Sequence, residues 1–82
     1  MQALYFSWLR ERVGTNAETI DPGAATTVAE LIRELSARED RYAAAFADIS
    51  AVRVAADQKM VDLDHPIDGV REIGFFPPMT GG

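Results

Sequence analysis

Residues 27–35 read Thr-Val-Ala-Glu-Leu-Ile-Arg-Glu-Leu and carry the strongest secondary-structure signal in the chain. Four apolar residues recur there at positions i, i+3, i+4 and i+7, namely Val28, Leu31, Ile32 and Leu35. This spacing places them on one face, so the segment is predicted to be a helix whose apolar stripe packs against a sheet. Thr27 is a good N-cap. Glu30, three residues later, predicts a capping box in which each side chain accepts the other's backbone N–H.

Short segments of strand character flank this helix on both sides. They are residues 2–8 and 17–20 before it, and residues 52–56, 60–61 and 72–76 after it. Residues 2–8 are apolar on both faces, which predicts an interior strand. Residues 9–13 are predicted to form a short helix ended by Gly14, and residues 42–46 a second short helix. This order predicts an α+β fold in which one main helix covers one face of a small mixed sheet.

The composition excludes several classes of function. The chain has 82 residues, which is one domain, and 48% of them are hydrophobic, which is enough for a core. The absence of cysteine excludes a disulfide framework, a thiolate nucleophile and a cysteine-based metal site. A net charge of −5 disfavours nucleic acid or an anionic membrane as the main partner. Without a signal-like start or a run of about 18 apolar residues, we expect a cytoplasmic protein.

The interior of the sequence offers no convincing active site. Its glycines match neither of the phosphate-binding glycine motifs. His65 is the only histidine and follows Asp64 in a turn before a proline, where we expect it to be structural. The spacing of four nearby aspartates does not match a calcium-binding loop; they are Asp57, Asp62, Asp64 and Asp68. We therefore predict no metal site.

The last eight residues carry the chemistry that the interior lacks. They read Phe75-Phe76-Pro77-Pro78-Met79-Thr80-Gly81-Gly82. The two prolines end strand pairing because neither has an N–H to donate, so we divide the chain into a domain over residues 1–76 and an extended tail over residues 77–82. This tail can reach roughly 20 Å. The alternative is an ordinary frayed terminus.

The α-carboxylate of Gly82 is the expected reacting group, because glycine lets a backbone thread a narrow channel. A carboxylate is ionised in the cell and must gain a leaving group before it transfers anything. An acyl-adenylate is the usual solution, and without a phosphate loop in this chain the ATP-using enzyme must be a partner. Sulfur then displaces AMP to give a thiocarboxylate, or a lysine amine displaces it to give a protein tag.

Several stretches of the sequence resemble one family across nearly the whole chain. They are Tyr5-Phe6, the Leu9-Arg10-Glu11-x-x-Gly14 segment, residues 26–31, Asp64-His65-Pro66, and the ending Phe75-Phe76-Pro77-Pro78-x-Thr80-Gly81-Gly82. In these respects the chain resembles the small subunit of molybdopterin synthase, the MoaD family. Asp57 departs from the asparagine that this family often has at its hairpin, which affects only the details of the turn.

The resemblance implies a β-grasp, ubiquitin-like fold and a sulfur carrier that acts only as a subunit of a heterotetrameric sulfurtransferase. It implies adenylation of Gly82 by a MoeB-like enzyme, thiocarboxylation, and insertion of the tail into a MoaE-like large subunit. There the sulfur passes to cyclic pyranopterin monophosphate, forming the dithiolene of molybdopterin. ATP is consumed by the activating partner, and no tightly bound cofactor is implied. Three alternatives stay open: the sulfur carrier of thiamine-thiazole synthesis, a ubiquitin-like modifier, and a β-grasp binding module without chemistry.

The tail and its base supply the remaining site residues. Residues expected to bind in the partner's channel are Pro77, Pro78, Met79, Thr80 and Gly81. Phe75 and Phe76 are expected at the partner interface, with Trp8 and Met79 as further candidates, because large aromatic residues dominate interface hot spots. Phe76 is the stronger candidate, since alternation places it on the opposite face from Phe75, which is equally suited to the core.

Overall fold

The computed structural model of the chain describes residues 1–78. The strands are β1 (Gln2–Tyr5), β2 (Ala17–Thr19), β3 (Arg53–Ala56), β4 (Lys59–Val61) and β5 (Glu72–Phe76). The helices are α1 (Ser7–Val13), α2 (Val28–Arg38) and α3 (Asp40–Ala45), with a 3-10 turn at Ile49–Ala51. The strands form one sheet in the order β2-β1-β5-β3-β4. Because β1 and β5 are parallel while the other neighbours are antiparallel, the sheet is mixed and the predicted β-grasp fold is confirmed.

The main helix packs as its spacing predicts. All four residues of the apolar stripe on α2 are buried: Val28, Leu31, Ile32 and Leu35. They meet the side chains that alternate onto one face of the sheet, including Tyr5, Val54 and Phe75, in a single core cluster. The opposite face of the sheet is not covered by a helix in the described part of the chain. This asymmetry leaves one face of the domain for other contacts.

The first strand is shorter than predicted, and Trp8 is not part of it. The chain leaves the sheet after Phe6, where Ser7 adopts a positive φ of 55° and begins α1. Leu9 and Val13 lie one helical turn apart on α1, so both side chains are on the same face of the helix and are buried in the core. Gly14 ends the helix in the left-handed conformation, at φ 95°, as predicted.

The start of α2 is capped by a different set of bonds from the predicted box. Thr27 Oγ1 accepts the Glu30 N–H at 3.2 Å, as expected. The Glu30 carboxylate, however, accepts from the N–H and hydroxyl of Thr26, at 2.9 and 3.0 Å, rather than from Thr27. The helix N–H groups of residues 28 and 29 donate to the carbonyls of His65 and Leu63. The irregular segment before β5 therefore completes the helix cap.

The β3–β4 hairpin turns through Asp57 and Gln58, which have φ values of 48° and 72°. Two consecutive residues with positive φ are typical of the tight turns that match strand twist. Asp57 Oδ1 also accepts the N–H groups of Arg71 and Glu72, both at 3.0 Å, and so ties the hairpin to the start of β5. An aspartate serves this purpose because the interaction needs only an acceptor oxygen.

Candidate functional site

The tail begins at the end of the most enclosed strand. β5 is hydrogen-bonded between β1 and β3 along its length, and its last pairing joins Phe76 to Arg53. Its bounds, Glu72–Phe76, are those that the sequence predicts. Pro77 and Pro78 follow without secondary structure and are half-buried. The tail therefore starts from a fixed position in the middle of the sheet.

Phe75 belongs to the core, so its assignment to a partner interface is wrong. Its side chain has 0% exposure. The ring stacks on Tyr5 with centroids 5.6 Å apart and meets the ring of Phe46 at 4.9 Å. Strand alternation directs this residue towards the helices, where it has no surface to offer a partner.

Phe76 lies on the uncovered face and stacks on Phe6. The two ring centroids are 4.6 Å apart and the rings are nearly parallel, at 6°. Gly74 makes this arrangement possible, because a Cβ at that position would lie 3.2 Å from two carbons of the Phe76 ring. Phe6 remains 38% exposed. The structure thus presents an ordered aromatic pair beside the start of the tail.

An open groove of about 590 Å³ runs beside this pair, and we call it the tail-root groove. The residues that line it are Phe6, Ser7, Arg53, Met60, Phe76, Pro77 and Pro78. Met60 is 63% exposed, the highest value among the large hydrophobic residues on the described surface. Apolar surface of this kind, rimmed by polar groups, is typical of a protein-interaction site. Phe76 is therefore well placed for the contact role predicted for it.

The other predicted site residues fall into two groups. Trp8 lies on α1, packs partly against the core and has the Arg12 guanidinium 4.5 Å from its ring centroid. It does not line the tail-root groove. The remaining tail residues, Met79, Thr80, Gly81 and Gly82, lie outside the described residues, so the predictions for them stay predictions.

The internal candidates assemble no second centre within residues 1–78. His65 is exposed, and its carbonyl oxygen accepts the Val28 N–H at 3.1 Å, which is a capping contact. No group of three or more metal-binding side chains occurs in this part of the chain. None of its helices has the length and apolar content that crossing a membrane requires.

A charged cluster on the core side of the sheet was not predicted from the sequence. Glu18 Oε2 accepts the hydroxyls of Tyr5 and Tyr42, at 2.8 and 2.5 Å, and Glu18 Oε1 accepts from Arg41 at 3.2 Å. Burial alone raises the pKa of Glu18, but hydrogen bonds from the two tyrosines and Arg41 outweigh it and hold the pKa below its usual range. Burial and the bond to Glu18 raise the pKa of Tyr42 to about 12. The cluster links β2 to α3, and none of its residues lines the tail-root groove.

Sequence reasoning missed three residues that line the groove, Phe6, Met60 and Arg53, and also Gly74, which lies against the Phe76 ring. Strand alternation predicts part of this surface, because it places Leu4 and Phe6 on one face and Gly74 and Phe76 on one face. The parallel register of β1 and β5 is needed to show that these two faces are the same. That register joins residues about 70 positions apart, which local patterns do not specify.

Comparison with known proteins adds a family and a fold. A family model described as the ThiS family matches residues 3–82. The molybdopterin synthase sulfur carrier subunit of Escherichia coli (strain K12) is 38% identical over 82 residues, covering 100% of this chain and 99% of that protein. The subunit of the same name from Haemophilus influenzae is 35% identical over 83 residues, with the same coverage. The crystal structure of SAMP1 from Haloferax volcanii aligns with a TM-score of 0.73 at 20% identity, over 100% of this chain and 98% of that chain. This last match concerns the fold alone.

Proposed function

The chain belongs to the ThiS family, and from this premise we propose that it is the sulfur carrier subunit of a molybdopterin synthase. The observation in the structure that carries the proposal is the position of the tail. It leaves the central strand of the sheet, beside a groove that contains the stacked pair Phe6 and Phe76. Such a base holds a partner while the terminal residues enter that partner's active site.

The chemistry proceeds at the Gly82 carboxylate in two activation steps. The carboxylate oxygen attacks the α-phosphate of ATP in a MoeB-like enzyme, forming the acyl-adenylate and releasing pyrophosphate. A sulfur nucleophile then adds to the acyl carbon and AMP leaves, which gives a thiocarboxylate. ATP is a substrate of the partner. The chain supplies the acyl group and the tail that is long enough to bring it into the partner's active site. We place these steps in the cytoplasm.

Transfer follows in a MoaE-like large subunit, within a heterotetramer of two small and two large subunits. The thiocarboxylate sulfur forms a C–S bond to cyclic pyranopterin monophosphate in place of a C–O bond. Water then cleaves the bond between the sulfur and the acyl carbon of Gly82, so the sulfur stays on the substrate and the carrier leaves with its carboxylate restored. Two sulfur atoms are needed for each dithiolene, so a spent carrier must leave and be replaced. The chain is therefore a substrate-like subunit that is active only with the large subunit.

The tail residues have positional roles in this scheme. Pro77 and Pro78 restrict the backbone at the exit from β5, because their ring fixes φ. Met79 and Thr80 span the distance to the glycines, and Gly81 allows close approach of the partner's backbone. Sulfur transfer thus depends on the tail's shape and length more than on any side chain of the domain.

The curated relatives favour this role over the related carrier of thiamine-thiazole synthesis, since both full-length relatives carry the molybdopterin synthase name. Intact mass spectrometry of the protein purified from its cells tests the proposal. We expect a population in which one sulfur replaces one oxygen, located by fragmentation at Gly82. Covalent conjugates to lysines of other proteins would support a modifier instead, and an unmodified mass in cells that are making the cofactor would contradict both.

A further inference from the structure

Arg53 occupies an unusual position in this acidic protein. It is the first residue of β3, it pairs with Phe76 across the sheet, and its side chain is exposed. Among the described residues it is the one charged group that lines the tail-root groove, although the chain carries a net charge of −5. Directly opposed residues on antiparallel strands have Cβ atoms about 4.5–5.5 Å apart. A partner that covers Phe76 therefore also covers Arg53.

The guanidinium of Arg53 is held in place but not neutralised. Nη1 donates to the carbonyl oxygens of Ser50 and Val52, at 3.1 and 3.3 Å. No carboxylate of residues 1–78 lies within 4.0 Å of it, whereas Arg38 and Arg41 are both paired with glutamates. Nε and Nη2 make no hydrogen bond to this part of the chain, so three N–H donors remain for an external acceptor.

Covering this group has an electrostatic consequence. Removing an arginine from water without a counter-charge is unfavourable, whereas a well-oriented carboxylate offsets that cost and adds bidentate hydrogen bonds. The apolar surround of Phe6, Met60 and Phe76 excludes water once a partner is bound. The partner surface that fits the groove is therefore apolar and contains a carboxylate opposite Arg53.

We propose that Arg53 is a specificity-determining contact that pairs with an aspartate or glutamate of the synthase large subunit. This inference rests on the proposed function. The pair also orients the complex, because the adjoining groove on this face has one charged lining residue among those described, Glu72, which lies at the opposite end of β5. Four residues of strand separate the two ends by roughly 13 Å. A partner binds when its carboxylate faces the tail end of the groove. In the reversed orientation that carboxylate would face Glu72 and be repelled.

Titration calorimetry of the full chain with the large subunit from the same organism tests this pairing. We expect Arg53→Glu to weaken binding by roughly 100-fold and Arg53→Gln by roughly 10-fold, as for loss of a covered charge pair. Arg53→Lys should retain more affinity than Arg53→Gln, because it keeps the charge. The Arg53→Gln effect should shrink as salt is raised. Arg33→Glu is the matched control, since it makes the same charge change on an exposed position of α2, and its affinity should stay within about twofold of the parent.

Two results would overturn the inference. Arg53→Glu binding within about twofold of the parent would show that no anion faces this residue. Equal affinities for Arg53→Lys and Arg53→Gln would show that the partner offers only neutral acceptors. Failure of the parent chain to bind the large subunit or to carry sulfur would instead contradict the proposed function itself.

Discussion

Replacing Phe75 and Phe76 one at a time with alanine separates the core of this protein from its docking surface. The Phe75 side chain is completely buried between Tyr5 and Phe46. Truncating a buried phenylalanine costs about 3–5 kcal/mol, because the lost burial adds to the cavity that remains. In a domain of this size, each kcal/mol lowers the melting temperature by about 4–8 °C. Phe75→Ala should therefore lower it by about 12–40 °C.

Phe76→Ala should have a small effect on stability and a large effect on binding. It removes the stack on Phe6, worth about 0.5–1.5 kcal/mol, from a ring that is only half-buried. The melting temperature should fall by about 2–12 °C. Binding to the large subunit should weaken by at least 2 kcal/mol, or about 30-fold, since aromatic residues at the centre of an interface carry much of its energy.

Thermal unfolding by circular dichroism and binding calorimetry on both variants measure the two effects. Ile49→Ala is a suitable control, because Ile49 is as exposed as Phe6, at 38%, but lies in a separate groove beside α2. It should leave binding unchanged. If Phe76→Ala bound as tightly as the parent, or if Phe75→Ala melted within a few degrees of it, the assignment of the two faces would be wrong.

Four further predictions concern the rest of the chain. Glu18→Gln should destabilise the protein by about 1–3 kcal/mol at neutral pH. Because the pKa of Glu18 is lowered in the folded state, this difference in stability is present above the unfolded pKa of about 4.3 and should vanish as the pH falls through the folded pKa. Urea titrations of both proteins across this pH range measure it. The raised pKa of Tyr42 predicts that stability also declines as the pH rises from about 10 towards 12, which urea titrations on that limb measure. His65→Ala should leave sulfur transfer and folding nearly intact, since its contact to α2 is made by the backbone; loss of transfer in a well-folded variant would reveal an internal site. Deleting Gly81 and Gly82 should abolish transfer and leave thermal unfolding nearly unchanged, and a large drop in melting temperature would mean that the tail packs on its own domain.

The local patterns of the sequence predicted most of the fold. The buried stripe of α2, the stop at Gly14 and the bounds of β5 all depend on residues within a few positions of one another. Trp8 was misplaced because residues 2–8 are apolar on both faces, a pattern that an interior strand also has, and only the burial of Leu9 and Val13 in the folded core favours the helix.

The site was predictable in part. Alternation correctly placed Phe75 and Phe76 on opposite faces, but which face α2 covers depends on tertiary packing, so both were assigned to the interface. The stack of Phe6 on Phe76 needs the parallel pairing of β1 with β5 and the space left by Gly74. Arg53 gave no local signal, because an arginine at the start of a strand is usually a solvated residue. Its significance follows from its pairing with Phe76.

The measurement that tests the central claim most directly is thiocarboxylate formation at the C-terminus. The full chain is incubated with a MoeB-like enzyme, ATP and a sulfur source, and its intact mass is compared with that of a variant extended by one residue after Gly82. The account predicts that the parent gains the mass difference between sulfur and oxygen, and loses it again when the large subunit and cyclic pyranopterin monophosphate are added. The extended variant should show no gain. Equal sulfur incorporation in the extended protein would contradict the claim, because the reacting carboxylate would then not be that of Gly82.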